Sequence, residues 1–160
     1  LSDDLIVVSN TPEAYANLGV RQASDRYANS GPLAGLQSGL LAAAHEWAFV
    51  VACDMPLVNH RLVRYMIVLS PGYDAVVPRL GEDPEPLHAL YSRACLPAIE
   101  AQLSAQQRRV IAFYPAIRMR YVEAREIAVF DPAGRSFFNA NTPEDWQPFQ
   151  HLLRESSPAA

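Results

Sequence analysis

An unbroken apolar run that ends on a carboxylate constrains this chain most: the segment from Ala48 to Leu57, which contains Asp54. Apolar residues precede Asp54 without alternation, a pattern typical of a strand buried on both faces of a parallel sheet. Pro56 lacks a backbone donor and keeps the chain out of a strand ladder beyond this point. We therefore expect a buried strand that ends at Asp54.

The position of Asp54 at a strand end allows two interpretations. In open α/β sheets, ligands bind beyond the carboxyl ends of the strands, and a carboxylate there suits a hard cation such as Mg²⁺. An Asp-x-Pro turn without chemistry is the other interpretation. This segment alone does not choose between them.

Composition limits the class of protein. With 160 residues, of which 50 % are hydrophobic, residues 1–160 are expected to form one domain with its own core. The formal net charge of −4 argues against nucleic acid as a partner. No apolar run approaches the roughly 20 residues of a membrane helix, and the first residues show no basic secretory signal. Two cysteines cannot form a disulfide framework, which favours a cytoplasmic setting.

Strand and helix patterns alternate along the chain. This order predicts an α/β fold, a Rossmann-like doubly wound, mostly parallel sheet with helices on both faces. The predicted strands are Leu5–Ser9, Val20–Ala23, the run ending at Asp54, Asp74–Pro78, Leu87–Tyr91, Met119–Ala124 and Ile127–Phe130. The predicted helices start near Pro12, Leu33, Asn59, Leu96, Arg109 and Thr142, and residues 137–141 are expected to form a short strand or turn.

A glycine-rich segment, Gly31 to Leu36, enters the second of these helices. Glycine lets the backbone approach a ligand closely, and a helix N-terminus favours an anionic phosphate. An ordinary Gly-Pro turn before a helix explains the same residues without a ligand.

Two amides occur close together near the end of the chain, at Asn139 and Asn141. On an extended segment, side chains at i and i+2 point the same way, so both amides could reach a base, a ribose or a metal-bound water. Helix capping by Thr142 is the alternative, and it leaves Asn139 unexplained.

Together, these segments resemble the molybdenum cofactor guanylyltransferase family of the nucleotidyltransferase superfamily. That family carries a Gly-Pro-Leu-Ala-Gly stretch, a Cys-Asp-x-Pro strand end and a segment close to Phe-x-Asn-x-Asn-Thr-Pro-Glu-Asp. Here they occur in order as residues 31–36, 53–57 and 138–145, and residues 85–91 and 108–110 also look like family counterparts. The resemblance extends from Leu5 to about Trp146 and implies the nucleotide-diphospho-sugar transferase type of fold.

One feature of the family does not occur in these 160 residues. The family begins with a strand and a glycine-rich loop that ends in lysine and wraps the nucleotide phosphates, whereas all 13 basic residues here are arginines. The sequence resembles the family from its second strand onward. We therefore expect a nucleotidyltransferase domain that is truncated at its N-terminus and, as this chain alone, inactive or nearly so.

The resemblance implies transfer of GMP from GTP to molybdopterin, with Mg²⁺ as cofactor and pyrophosphate as by-product. By similarity, Asp54 is the catalytic and metal-binding carboxylate. The residues implied in binding nucleotide or substrate are Asn10, Asp25, Gly31, Asn139 and Asn141, with Asn10 and Asp25 on the guanosine. Molybdenum cofactor carrier proteins and acceptor molybdoenzymes are the implied protein partners.

Other polar residues are weaker candidates. Glu85 precedes the strand that would face the pterin, and Arg108 and Arg109 could bind its phosphate, but solvated surface positions explain all three. His88 is interpreted as a satisfied core or pocket-wall histidine. Two alternative functions stay open: a cytidylyltransferase or other nucleotidyltransferase on the same fold, and a non-catalytic nucleotide-binding module.

Overall fold

The computed structural model describes residues 2–24, 27 and 31–147. Its strands are β1 (Ile6–Val8), β2 (Arg21–Ala23), β3 (Trp47–Val51), β4 (Ala75–Leu80), β5 (Asp83–Pro84), β6 (His88–Ser92) and β7 (Met119–Glu123). Its α-helices are α1 (Pro32–Ala42), α2 (His60–Leu69), α3 (Leu96–Ser104) and α4 (Ala124–Ile127), and residues 143–147 are also helical. Short 3₁₀ helices occupy Pro12–Leu18, Arg93–Cys95, Val110–Ala116 and Arg135–Phe137.

Strands β3 to β7 form a mixed sheet in which β3, β4 and β7 run in one direction. Strand β6 lies antiparallel between β3 and β4, and β7 pairs with β4 in parallel. Only residues 81–87 connect β4 to β6, a link too short for the helical crossover that a parallel return requires. The predicted pairing of residues 87–91 with the strand before it is confirmed.

Both faces of this sheet are covered by helices, as the α/β class requires. Alternate residues of β4 point to opposite faces, so Ala75 and Val77 join the core beneath α1 and α3, while Val76 joins the core beneath α2 and α4. Tyr91 and Leu90 divide in the same way on β6. The predicted doubly wound α/β fold is therefore confirmed.

Strand β3 differs from its prediction in burial. We expected an apolar strand covered on both faces and extending to Asp54, but β3 ends at Val51, which is 37 % exposed. Its first four residues are only partly buried. Among the described residues, β3 pairs with β6 alone, while β1 and β2 form a separate parallel pair. A strand with one paired edge keeps more solvent contact than a central strand.

Helix α1 lies against both groups of strands. It contacts β1, β2 and β3, and its Leu33, Leu36 and Leu40 are buried. Gly39 brings it close to β1, because a Cβ at that position would stand 3.4 Å from a methyl carbon of Val8. The helix therefore joins the β1–β2 pair to the main sheet.

The strand predicted at Ile127–Phe130 is wrong. Helix α4 occupies Ala124–Ile127 and starts with a capping box, in which the side chains of Glu123 and Glu126 each accept from the backbone N–H of the other. Glu126 also accepts from Arg120 at 2.6 Å and from Tyr65 at 2.6 Å. These contacts outweigh the β-propensity of the short apolar run that follows.

Among the helices of the described residues, none is long and apolar enough to cross a lipid bilayer.

Candidate active site

The segment after β3 carries a carboxylate that is partly withdrawn from water. Ala52 donates its backbone N–H to the Leu87 carbonyl at 2.9 Å and so continues the contact with the chain before β6. Asp54 follows in a turn, where Met55 N–H donates to the Ala52 carbonyl at 3.1 Å. One carboxylate oxygen of Asp54, Oδ1, is buried and has no hydrogen-bond partner among the described residues. A desolvated and unpaired oxygen is unfavourable unless a ligand supplies a donor or a cation.

The segment that carries the two predicted amides is hydrogen-bonded to the backbone of Asp54. Ala140 donates its N–H to the backbone carbonyl of Asp54 at 2.7 Å, which holds residues 139–141 against the turn that follows β3. Ala140 is buried, whereas Asn139 and Asn141 are exposed on either side of it. That the two amides share one direction stays a prediction. A surface cleft is lined by Ala140, Asn141, Thr142, Pro143 and Trp146.

Thr142 begins the last helix as predicted. Its Oγ1 accepts the N–H of Asp145 at 3.3 Å, and Asp145 accepts in return from the N–H groups of Asn141 and Thr142 at 3.0 and 2.8 Å. The bond from Asn141 constrains the backbone that carries the second amide. The carboxylate of Asp145 therefore takes part in the helix cap and also bonds the backbone of Asn141.

Gly31 precedes α1 and lies against Arg108. Its backbone has φ +70° and ψ −162°, a conformation that is essentially restricted to glycine. A Cβ at this position would stand 3.7 Å from the Cβ and from the carbonyl oxygen of Arg108. Two segments that the sequence suggested separately, the glycine-rich turn and the paired arginines, therefore meet at the start of α1.

We predict that Gly31→Ala lowers the free energy of unfolding by about 1–3 kcal/mol. The added methyl group has room beside Arg108, so the loss comes from the backbone conformation rather than from a clash. Urea unfolding of both proteins measures the difference. Gly19→Asn is the comparison: Gly19 has φ +64° and ψ +20° in the left-handed region that Asn tolerates, and its loss should be smaller. Equal losses would contradict the argument.

The other predicted residues occupy different surroundings. Asn10 is exposed directly beyond β1, where Ser9 N–H donates to the Ala23 carbonyl at 2.9 Å. Asp25 lies outside the described residues. Glu85 is half-buried, and its pKa is raised by burial and, secondarily, by the charge of Asp83. Arg109 is exposed at the start of the 3₁₀ helix Val110–Ala116.

His88 departs from its interpretation as a satisfied histidine. It is fully buried, but neither ring nitrogen has a hydrogen-bond partner among the described residues. Its ring packs edge-on against Phe49 and Phe137, with centroids 5.0 Å apart in each case. Burial lowers the pKa of His88 to about 4, although the charge of Asp131 acts in the opposite direction. The surrounding aromatic rings offer no polar atom to the imidazole.

Asp131 is a residue that the sequence reading missed. Its side chain is buried and accepts backbone N–H groups of Arg135 at 3.0 Å and Ser136 at 2.7 Å. The signal was present in the sequence, since Asp-Pro-Ala-Gly at residues 131–134 is a turn pattern in which aspartate accepts from the backbone ahead of it. The turn leads directly into the segment that carries the two amides.

A magnesium ion fits this site only if the protein and the substrate coordinate it together. No group of three or more His, Cys, Asp or Glu side chains that could hold a metal occurs in residues 2–24, 27 and 31–147. Magnesium is commonly held by one or two carboxylates together with substrate phosphates and water. The unpaired Oδ1 of Asp54 is compatible with that arrangement.

Comparison with known protein families gives a match over much of the chain. Residues 1–120 match the MobA-like NTP transferase domain. This match includes β1 to β6 and ends within the first residues of β7. It ends before the segment with the paired amides.

Curated relatives extend the match to that segment. The chain is 42 % identical over 142 residues to a probable molybdenum cofactor guanylyltransferase of Pelotomaculum thermopropionicum, covering 89 % of this chain and 69 % of the relative. It is 37 % identical over 153 residues to the molybdenum cofactor guanylyltransferase of Desulfosudis oleivorans, covering 95 % and 76 %.

Solved structures agree in fold. The crystal structure of molybdopterin-guanine dinucleotide biosynthesis protein A from Archaeoglobus fulgidus matches with a TM-score of 0.77 at 23 % identity, over 94 % of this chain and 78 % of that one. A protein from Aquifex aeolicus matches with a TM-score of 0.73 at 24 % identity, over 88 % and 72 %. At these identities the likeness supports the fold alone.

Proposed function

The chain belongs to the MobA-like NTP transferase family, and from this premise we propose that it transfers GMP from GTP to molybdopterin. An oxygen of the molybdopterin phosphate attacks the α-phosphorus of GTP. The bond from that phosphorus to the oxygen bridging toward the β-phosphate breaks, and pyrophosphate leaves. The product is a dinucleotide joined through a diphosphate.

One observation carries the proposal more than any other. The hydrogen bond from the Ala140 N–H to the backbone carbonyl of Asp54, at 2.7 Å, joins the turn that carries the Asp54 carboxylate to the segment with the paired amides. A nucleotidyl transfer needs an anionic oxygen to hold a cation near the reacting phosphates, and the Asp54 carboxylate can supply it. It also needs neutral donors to phosphate or ribose oxygens, which the amides of Asn139 and Asn141 can supply. Nothing in a simple Asp-x-Pro turn requires the two segments to meet.

We assign the roles as follows. Asp54 would hold Mg²⁺ through its unpaired oxygen, and the ion would supply positive charge against the charge that develops between the two phosphates. Asn139 and Asn141 orient substrate oxygens from the neighbouring segment. Asn10 and Asp25 contact the guanosine, where a carboxylate can accept from the base N–H groups. Gly31 lets the chain before α1 approach the nucleotide closely.

The chain covers 69 % of the Pelotomaculum relative and 76 % of the Desulfosudis relative, so transfer is assayed in a protein that spans the full length of these relatives. The carrier proteins and acceptor molybdoenzymes that the resemblance implies stay predictions.

Turnover with matched nucleotides tests this function. We expect the complete protein to release pyrophosphate from GTP only when molybdopterin and Mg²⁺ are both present, and to use CTP and ATP much less well. Preference for CTP would assign a cytidylyltransferase instead. Binding of GTP without release of pyrophosphate under any of these conditions would leave a non-catalytic binding module.

A further inference from the structure

The carboxylate of Asp131 organises a tight turn. Asp131 is 7 % exposed, and its two oxygens accept separate backbone N–H groups, from Arg135 at 3.0 Å and Ser136 at 2.7 Å. Its own carbonyl accepts the N–H of Gly134 at 3.1 Å, and Gly134 adopts φ +62°. Burial acts to raise the pKa of Asp131, but the hydrogen bonds from Ser136 and Arg135 outweigh it, so the pKa lies below its ordinary value. The charged form therefore holds the turn.

The turn delivers the following residues to the strands that carry the site. Phe137 is buried and packs its ring against His88 of β6, and His88 pairs with Val51 at the end of β3. Three residues later, Ala140 bonds the carbonyl of Asp54 at 2.7 Å. Residues 137–140 are thus attached to β6 at one end and to the turn after β3 at the other, and Asp131 sets the point from which they start.

We propose that Asp131 is a positioning residue for the transfer reaction, although it lies outside the reacting groups. By closing the turn at residues 131–136, it fixes the spacing between the Asp54 carboxylate and the amides of Asn139 and Asn141. This inference rests on the proposed function. A displacement of about 1 Å in a catalytic group lowers turnover on the order of a hundredfold, so a loosened turn affects the rate more than it affects nucleotide binding.

Asp131→Asn in the complete protein tests the inference. Asparagine keeps the shape of the side chain but replaces one acceptor oxygen with an NH₂ group, which cannot accept from the second backbone N–H. We expect kcat to fall about tenfold to a hundredfold while KM for GTP changes much less. We also expect faster hydrogen exchange at the Ala140 amide, measured relative to the amide of Val76 in the core.

Asp74→Asn is the matched control. Asp74 also accepts a backbone N–H, that of Arg118 at 2.9 Å, but it precedes β4 and so lies at the edge of the sheet opposite the carboxyl ends. This variant should lose stability without a change in kcat or in the relative exchange of Ala140. All rates are compared at a temperature where every variant is folded.

The outcomes separate cleanly. If the wild-type protein is active and Asp131→Asn has the same kcat, the positioning role is overturned, whether or not the Ala140 amide exchanges faster in the variant. An equal fall of kcat in Asp74→Asn would also overturn it, because general destabilisation would then explain both. Absence of transfer by the wild-type protein would reject the proposed function itself, and the positioning role with it.

Discussion

Asp54→Asn in the complete protein is expected to lower GTP-dependent transfer roughly a thousandfold or more. The substitution keeps the size of the side chain and removes the negative charge that we propose holds Mg²⁺ against the phosphates. Pyrophosphate release at saturating GTP and molybdopterin measures the loss. Activity within tenfold of wild type would refute the assigned role.

The same substitution, Asp54→Asn, should leave the free energy of unfolding unchanged or raise it. Oδ1 of Asp54 is buried without a partner, so a neutral amide is less unfavourable there than a charge in the absence of ligand. We therefore expect Asp54→Asn to unfold at the same or a higher urea concentration than wild type. Asp3→Asn is the control, since the Asp3 side chain is 91 % exposed and should affect transfer little. A large loss of stability in Asp54→Asn would instead indicate a structural carboxylate.

The second large effect concerns acid stability and His88. Its pKa is about 4 in the folded protein and 6.5 in its ordinary state, so the unfolded chain binds a proton at a pH where the native imidazole stays neutral. The contribution of the neutral His88 to the free energy of unfolding is therefore fully present above pH 6.5 and is lost as the pH falls from 6.5 to about 4. The linkage amounts to about 3 kcal/mol over this range.

His88→Met removes this titration and fills the same apolar site with a flexible side chain. We expect its free energy of unfolding to fall less than that of wild type between pH 6.5 and 4, measured by urea unfolding at several pH values. Below that window the paired carboxylates decide stability, because the pKa of Glu126 is lowered to about 2 by its hydrogen bond from Arg120 and by further bonds from Tyr65 and Glu123.

His60→Gln is the control for general effects of removing a histidine, because His60 is exposed at the start of α2. Its acid dependence should match that of wild type. If His88→Met shows the wild-type slope between pH 6.5 and 4, then the buried imidazole does not control acid stability.

Local sequence patterns predicted those elements that are fixed by contacts between residues close together in the chain. Asn59 caps α2 by accepting from the N–H groups of Arg61 and Leu62, as its sequence position suggested. Gly19 ends its helix in the left-handed conformation, with φ +64°. Residues 87–91 pair with β4 because the short connection leaves only an antiparallel return.

Other features depend on partners that are distant in sequence, and local patterns could not predict them. The run Ile127–Phe130 looks like a strand, but Glu126 gains bonds to Tyr65 and Arg120 that favour a helix before it. An apolar run also does not reveal how many neighbours a strand has, so β3 was predicted to be more buried than it is.

The sequence by itself determined the α/β class and the family, because hydrophobic periodicity and short motifs are properties of adjacent residues. It also singled out Asp54 and the two amides as separate candidates. Only the tertiary structure decided that the segments of Asp54 and of the amides touch, that Asp131 holds the turn before the amide segment, and that Phe137 packs against His88. Hydrogen bonds and ring packing between residues far apart in the chain exist only once the sheet has formed.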